Sequence, residues 1–344
     1  MNKQISCVMS QKIKCMSLLC SFLVTCIHVG WAPETSTAGW WVCNLANNGL
    51  CQIAVPFFYV VSGFFIANHF DDQAWYKQEN RKRIKSILLP YLIWCVLGVL
   101  LISPASIIAD ILAQRPFGTS IPCVHAPWSI LGLDFTNYPT YGPLWYLRCL
   151  LCLVVVSPVF KKNVSLSVCL LFVASLCVHL LPYEGIKDFF IKGLSLRGAF
   201  YFAVGIYIQK SRRHWPNGVN INFWQAALFG VVGAGLLSTK VYLVANHSKY
   251  YPIVEELFIP FGLLIVWRLM TSTFPSWLTS QTFSIYLIHG ILLPYISLVC
   301  KKCGCPVVIT GLTTLLTGFS VSVVIALLLK RIVPRTAGVL FGGR

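Results

Sequence analysis

The stretch Lys14–Trp31, KCMSLLCSFLVTCIHVGW, decides how the whole chain is read. It is apolar enough to enter a bilayer, yet it carries polar side chains along one side. At about 100° per residue, Lys14, Ser17, Ser21, Thr25 and His28 fall within an arc of roughly 80°. Lipid offers an imidazole no partner, so a histidine inside a span faces a bundle interior or a wet cavity and raises a functional-site hypothesis by default. The expectation is a membrane helix whose polar seam leads to His28.

The rest of the chain treats a bilayer as its solvent. Of 344 residues, 57% are hydrophobic and only 11% charged, and the mean hydropathy is +0.73, which excludes a soluble domain of this length. Backbone polar groups in lipid must be paired internally, leaving helices or closed barrels. Long continuous apolar runs, not short alternating strands, select helices. The expected fold class is all-α, a polytopic membrane helix bundle of about ten transmembrane helices with no soluble domain, each span needing about 20 apolar residues. The runs are Cys15–Trp31, Gly49–Asn68, Ser86–Ile108, Pro143–Phe160, Val164–Leu181, Leu194–Ile208, Phe223–Val244, Pro252–Met270, Thr282–Cys300 and Val307–Leu329. They make one membrane-integral domain of the whole chain, 1–344.

In a soluble protein the net charge of +17 would suggest nucleic acid. Here the basic residues sit in short segments between spans, so they report topology and no nucleic-acid partner is expected. Most of the 27 Lys and Arg fall inside if both termini are cytoplasmic, as the positive-inside rule favours, although Lys301 and Lys302 do not. The first span has no small-residue cleavage site followed by a polar mature domain, so it reads as a signal anchor in a cytoplasmic (inner) membrane. Many of the fifteen cysteines lie within apolar runs, where Cys behaves as a small hydrophobe. No disulfide framework is read, and Cys300, Cys303 and Cys305 lack the neighbouring His or carboxylate of a metal site.

Other spans carry polar features of their own. In the second, Pro56 frees the carbonyl of Gln52, and Gln52, Pro56, Tyr59 and Gly63 share a face that protein or a cavity must cover; a kink made for packing is the other reading. The loop DDQAWYKQENRKRIK sets Arg81, Lys82, Arg83 and Lys85 beside the membrane, either as a topology determinant near anionic membrane lipids or as a landing site for a phosphate-bearing cytosolic ligand. The outward loop Gln114–Gly142 carries Phe117, His125, Trp128, Tyr138 and Tyr141, and Trp31, Trp40 and Trp41 precede it. Such aromatic plates suit sugar faces, and an interfacial aromatic belt explains them equally. Arg148 and Arg197 lie shallow in their spans, where snorkelling to the interface is the plain reading. Thr282, Tyr286 and His289 recur on one face of the ninth span, so His289 is either structural or functional.

At these residues the sequence resembles the acyltransferase-3 family of multi-span membrane acyltransferases. The likeness rests on VPFFYVVSGFFIA (Val55–Ala67), RKRIKSILLPYLIW (Arg81–Trp94), GPLWYLR (Gly142–Arg148), GAFYFAVGIYI (Gly198–Ile208) and FSIYLIH (Phe283–His289), in the family's order. The resemblance implies transfer of an acyl group, usually acetyl, from cytosolic acyl-CoA to a sugar hydroxyl of a cell-envelope glycan such as O-antigen, capsule or exopolysaccharide. It also implies an essential first-span histidine, matched by His28, with a basic residue eleven positions earlier. That position is Ser17; Lys14, one helical turn earlier on the same face, is the candidate for the basic role.

The resulting expectation makes His28 the catalytic base or acyl carrier. Lys14, Gln52, Arg148, Arg197, Tyr286 and His289 are its substrate-binding partners, and Arg81, Arg83 and Lys85 bind acetyl-CoA or another acyl-CoA, with no metal. From Lys14 to His28 is about 21 Å at 1.5 Å per residue, which suits a pantetheine arm laid along the seam. A transporter or flippase of a glycan or small polar solute is the rival class, since intramembrane His and Arg with Pro-broken helices also mark substrate pathways. A structural partner of an envelope-assembly complex is a third.

Overall fold

The computed structural model describes residues 7–29, 38–67, 70, 73–112, 114, 127–211, 221–270 and 273–343. Trp31, Phe117, His125, Arg212 and Arg213 lie outside them. Among the described residues there are helices and turns and no strand. The principal helices are α1 (Cys7–His28), α2 (Ala54–Ala67), α3 (Gln73–Leu112), α4 (Trp145–Val156) and α5 (Val164–Cys177). After them come α6 (Leu196–Lys210), α7 (Phe223–Ala245), α8 (Tyr251–Leu269), α9 (Thr282–Lys302) and α10 (Val307–Ile332). The chain is an all-α, multi-pass membrane protein.

Each of the ten expected runs is a helix, but among the described residues eight helical stretches, not ten, are long and apolar enough by themselves to cross a membrane. The α5 stretch, Val164–Leu180, is shorter, and α8 carries Glu255, Glu256 and Arg268. Packing gives α1 and α9 a common direction. Phe274 N–H meets Cys15 Sγ at 3.3 Å, Ser21 Oγ donates to Thr282 O at 3.3 Å, and the His28 and His289 rings are 5.2 Å apart. Contacts that rise together along both segments make α1 and α9 parallel. Parallel spans need an odd number of crossings between them, a condition met both by seven intervening crossings with α5 and α8 and by five without them.

The tightest helix pair is α2 with α6, and glycine is the reason. A Cβ on Gly63 would stand 2.0 Å from Phe202 O, and one on Gly205 2.0 Å from Val60 O. Small residues let membrane helices approach to backbone contact, where dispersion replaces the hydrophobic force that lipid does not provide. Phe202, Ala203 and Ile206 are fully buried there.

Two expectations change. The basic segment before the third span is not a loop: α3 runs unbroken for 40 residues with Pro90 and Pro104 inside it, about 60 Å at 1.5 Å per residue. Pro56 lies in the first turn of α2, where its missing N–H costs no helical bond. The interruption in that span lies just before, as a π-helical turn at Leu45–Gly49 and a 3₁₀ turn at Leu50–Ile53.

Candidate active site

His28 is the last residue of α1. His28 is exposed, with protein atoms also close around its ring. His289 faces it from α9 and is fully buried, and the two rings are tilted by 47°. His289 Nδ1 stands 3.1 Å from Ile285 O. A carbonyl only accepts, so Nδ1 carries the proton and Nε2 of the neutral ring is an acceptor.

Four segments converge behind this pair. The Tyr286 ring is 6.1 Å from His289 and 5.7 Å from Tyr146, which in turn is 4.8 Å from Tyr59. A Cβ on Gly198 would stand 2.7 Å from the Tyr59 ring, so α6 needs glycine there to admit it. Tyr286 Oη donates to Pro143 O, and Tyr141 Oη donates to Leu287 O at 2.7 Å. The turn Gly142–Leu144 is thereby strapped to α9. Residues of VPFFYVVSGFFIA, GPLWYLR, GAFYFAVGIYI and FSIYLIH thus form one aromatic column ending at the two histidines.

The seam of α1 is closed rather than wet. Ser17 Oγ donates to Ile13 O, Ser21 Oγ to Ser17 O and Thr282 O, and Thr25 Oγ1 to Ser21 O. Ser21 and Thr25 are buried, so this stretch is a packing face against α9. Lys14 is exposed; by the α1–α9 register it lies level with Pro275, before α9 begins. Gln52 sits in the 3₁₀ turn and donates to Asn47 O at 2.9 Å. Its neighbour Cys51 packs with Cys26 and Val29 beside the end of α1.

Basic side chains gather at the other end of α1. Arg81 and Lys85 are exposed and Arg83 half-buried near the start of α3. Ser86 of α3 lies against Gly342, Lys330 Nζ is over the Phe341 ring and donates to Ser280 O, and Ser280 just precedes α9. These contacts set the basic start of α3 at the same end of the bundle as Lys14.

Arg148 and Arg197 contact neither histidine. Arg148 is buried and donates to four carbonyls, Gly132 O, Asp134 O, Asn137 O and Lys192 O, at 2.5–2.9 Å. It holds the loop ahead of α4 in place. Asp134 stiffens the same loop by accepting from Thr136 and Asn137, bonds that hold its carboxyl down at about 2. Arg197 donates to Glu256 Oε1 at 2.6 Å and Glu255 Oε1 at 2.5 Å. Lys240 donates to Glu255, and His179 is 3.4 Å from Glu256. Reading the sequence missed Glu255, Glu256, Lys240 and His179, although adjacent carboxylates in the apolar run VEELFIPFGLLIVW carry the same intramembrane signal as His28.

Among the described residues, no cluster of three or more His, Cys, Asp or Glu side chains is arranged to hold a metal ion. The family described as acyltransferase domain (Acyl_transf_3) matches residues 12–331, nearly the whole chain. The chain belongs to the acyltransferase-3 family. The chain is also 24% identical over 243 residues to the succinoglycan biosynthesis protein ExoH of Rhizobium meliloti (strain 1021). That match covers 69% of this chain and 62% of ExoH, less than two thirds of the relative's length. No solved structure matches the chain.

Proposed function

We propose that this acyltransferase is an acyl-CoA-dependent O-acyltransferase of the inner membrane. It moves an acyl group, acetyl as the first candidate, from cytosolic acyl-CoA to a sugar hydroxyl of an envelope polysaccharide. The observation that carries the reading is the accessible His28 at the head of the aromatic column, backed by a second, buried histidine. An un-ionised hydroxyl is a weak nucleophile, and an imidazole that takes its proton is worth about 10²- to 10⁴-fold. The similarity to a succinoglycan biosynthesis protein supports a polysaccharide acceptor.

In this mechanism His28 removes the acceptor hydroxyl proton as the oxygen attacks the thioester carbonyl. The tetrahedral intermediate collapses with cleavage of the C–S bond, and the thiolate of CoA leaves with the proton that His28 took. Arg81, Arg83 and Lys85, with Lys14 at the same end of the bundle, attract the nucleotide phosphates of the donor. Both termini are then cytoplasmic. The Pro-flanked 3₁₀ turn at Gln52 and the loop held by Arg148 border the acceptor end. Arg197, neutralised by Glu255 and Glu256, fixes α6 and α8 beside it.

Purified protein incubated with acetyl-CoA is expected to release free thiol, faster when a polysaccharide acceptor is added. No thiol release with acetyl-, succinyl- or longer acyl-CoA, together with movement of the glycan across a vesicle, would replace this reading with that of a flippase.

A further inference from the structure

The acceptor nitrogen of His289 needs a donor, and the hydroxyls around it are already committed. Its Nε2 is buried with no hydrogen-bond partner among the described residues. Tyr286 Oη is bonded to Pro143 O and Tyr141 Oη to Leu287 O. On the facing helix, Thr25 Oγ1 is bonded to Ser21 O. A side chain that faces it and can supply an N–H is the ring of His28, 5.2 Å away between centroids. Rotation about χ2 of a histidine is soft, and at this separation a turn of the His28 ring brings an N–H to His289 Nε2, directly or through one water.

We infer that His289 is a positioning residue for His28: its Nε2 accepts the N–H of the His28 ring and fixes which nitrogen of that ring carries the proton. This rests on the acyl-transfer reading above. A neutral imidazole has one N–H and one lone pair. If the N–H is held by His289, the lone pair is on the other nitrogen of this exposed residue, free to accept a proton from an acceptor hydroxyl. The backbone carbonyl of Ile285 starts this relay by holding the proton on His289 Nδ1. The order Ile285 O, His289, His28 thus runs from fully buried to accessible and leaves the base at the accessible end. His28 meets the substrate; His289 acts through it.

The test compares His289→Leu with His289→Gln, beside His28→Ala. Leucine keeps bulk without an acceptor, whereas the glutamine amide oxygen can take the place of Nε2. The expected result for His289→Leu is a loss of about 10- to 100-fold in kcat, the scale for groups that orient a reacting residue, with KM for acetyl-CoA unchanged. His289→Gln should recover most of that rate. If His289→Leu turns over at the wild-type kcat, or Gln is as slow as Leu while His28→Ala is inactive, the pairing is wrong and the general-base reading stands. Activity in His28→Ala would instead remove the general-base reading itself. A measurement that needs no change at His289 keeps the pairing falsifiable if its variants misfold. In protein carrying ¹⁵N-labelled histidine, the His289 Nε2 resonance should shift when His28 is replaced by Ala. An unmoved resonance overturns the pairing.

Discussion

His28 and His289 stand at matching heights on two parallel helices, the same 261 residues apart in sequence as Ser21 and Thr282, which share a hydrogen bond one turn pair below. One ring is accessible and the other fully buried. That asymmetry separates the side chain able to meet a substrate from the one able only to support it.

His28→Ala is expected to abolish acyl transfer while the protein inserts and migrates normally on size exclusion, because His28 is the exposed last residue of α1. His28→Gln can hydrogen-bond but cannot accept a proton at neutral pH, so it should lose about 10²- to 10⁴-fold. Mass spectrometry of the acylated glycan reads both. Full product from the Gln variant would make the role of His28 positional.

Neutralising the exposed Arg81, Lys82 and Lys85 together by Gln should raise KM for acyl-CoA and leave kcat unaltered. The variant should also lose the salt dependence of KM, since attraction between exposed charges is screened within about 10 Å at 0.1 M ionic strength. Kinetics at low and high salt decide it, and an unchanged KM would move donor binding elsewhere.

Glu256→Ala leaves the Arg197 guanidinium with one carboxylate instead of two and removes the partner of His179. Breaking a buried ion pair from one side typically costs about 3–5 kcal/mol. Arg197→Ala should cost a similar amount, and the double variant less than the two losses combined. Thermal unfolding in detergent measures the cycle; additive losses would show that the two side chains act independently.

Gly205→Ala should destabilise the bundle by about 1–3 kcal/mol, the usual cost of overpacking, since the added carbon would stand 2.0 Å from Val60 O. Gly230→Ala, which meets nothing within 4 Å, is the matched control. Equal unfolding temperatures for the two would show that the α2–α6 contact is slack.

The loop ahead of α4 has a definite acid limit. Asp134 is ionised down to about 2 because Asn137 and Thr136 bond its carboxylate. A depressed carboxyl stabilises the folded loop at pH above its unfolded value, near 4, and loses that contribution as pH falls through about 2. Proteolysis of the 131–141 segment should therefore be constant from neutral pH down to about 4 and quicken below it. Asp134→Asn should show no such step.

Much of the architecture was legible before any contact was known, because bilayer thickness imposes a run length that hydropathy reports directly. The ten helices follow the ten apolar runs, and His28 stood out as an imidazole that lipid cannot satisfy. The polar seam was misread for a physical reason. Periodicity places Ser17, Ser21 and Thr25 on one face, but a hydroxyl in a helix can satisfy itself on the carbonyl four residues back. A polar stripe therefore need not line water.

The sequence alone determined what local chemistry and length can determine: a membrane bundle, the accessible histidine, and the basic segment before the third span. Tertiary structure alone decided which distant residues meet. Glycines at 63, 198 and 205 let α2, α6 and the Tyr59 ring approach closely, and the register of α1 on α9 brings His289 to His28. The same packing turns Arg148 towards loop carbonyls and Arg197 towards Glu255 and Glu256. A helical period says which side chains share a face, but which faces touch, and at what height, follows from close packing between segments far apart in the chain.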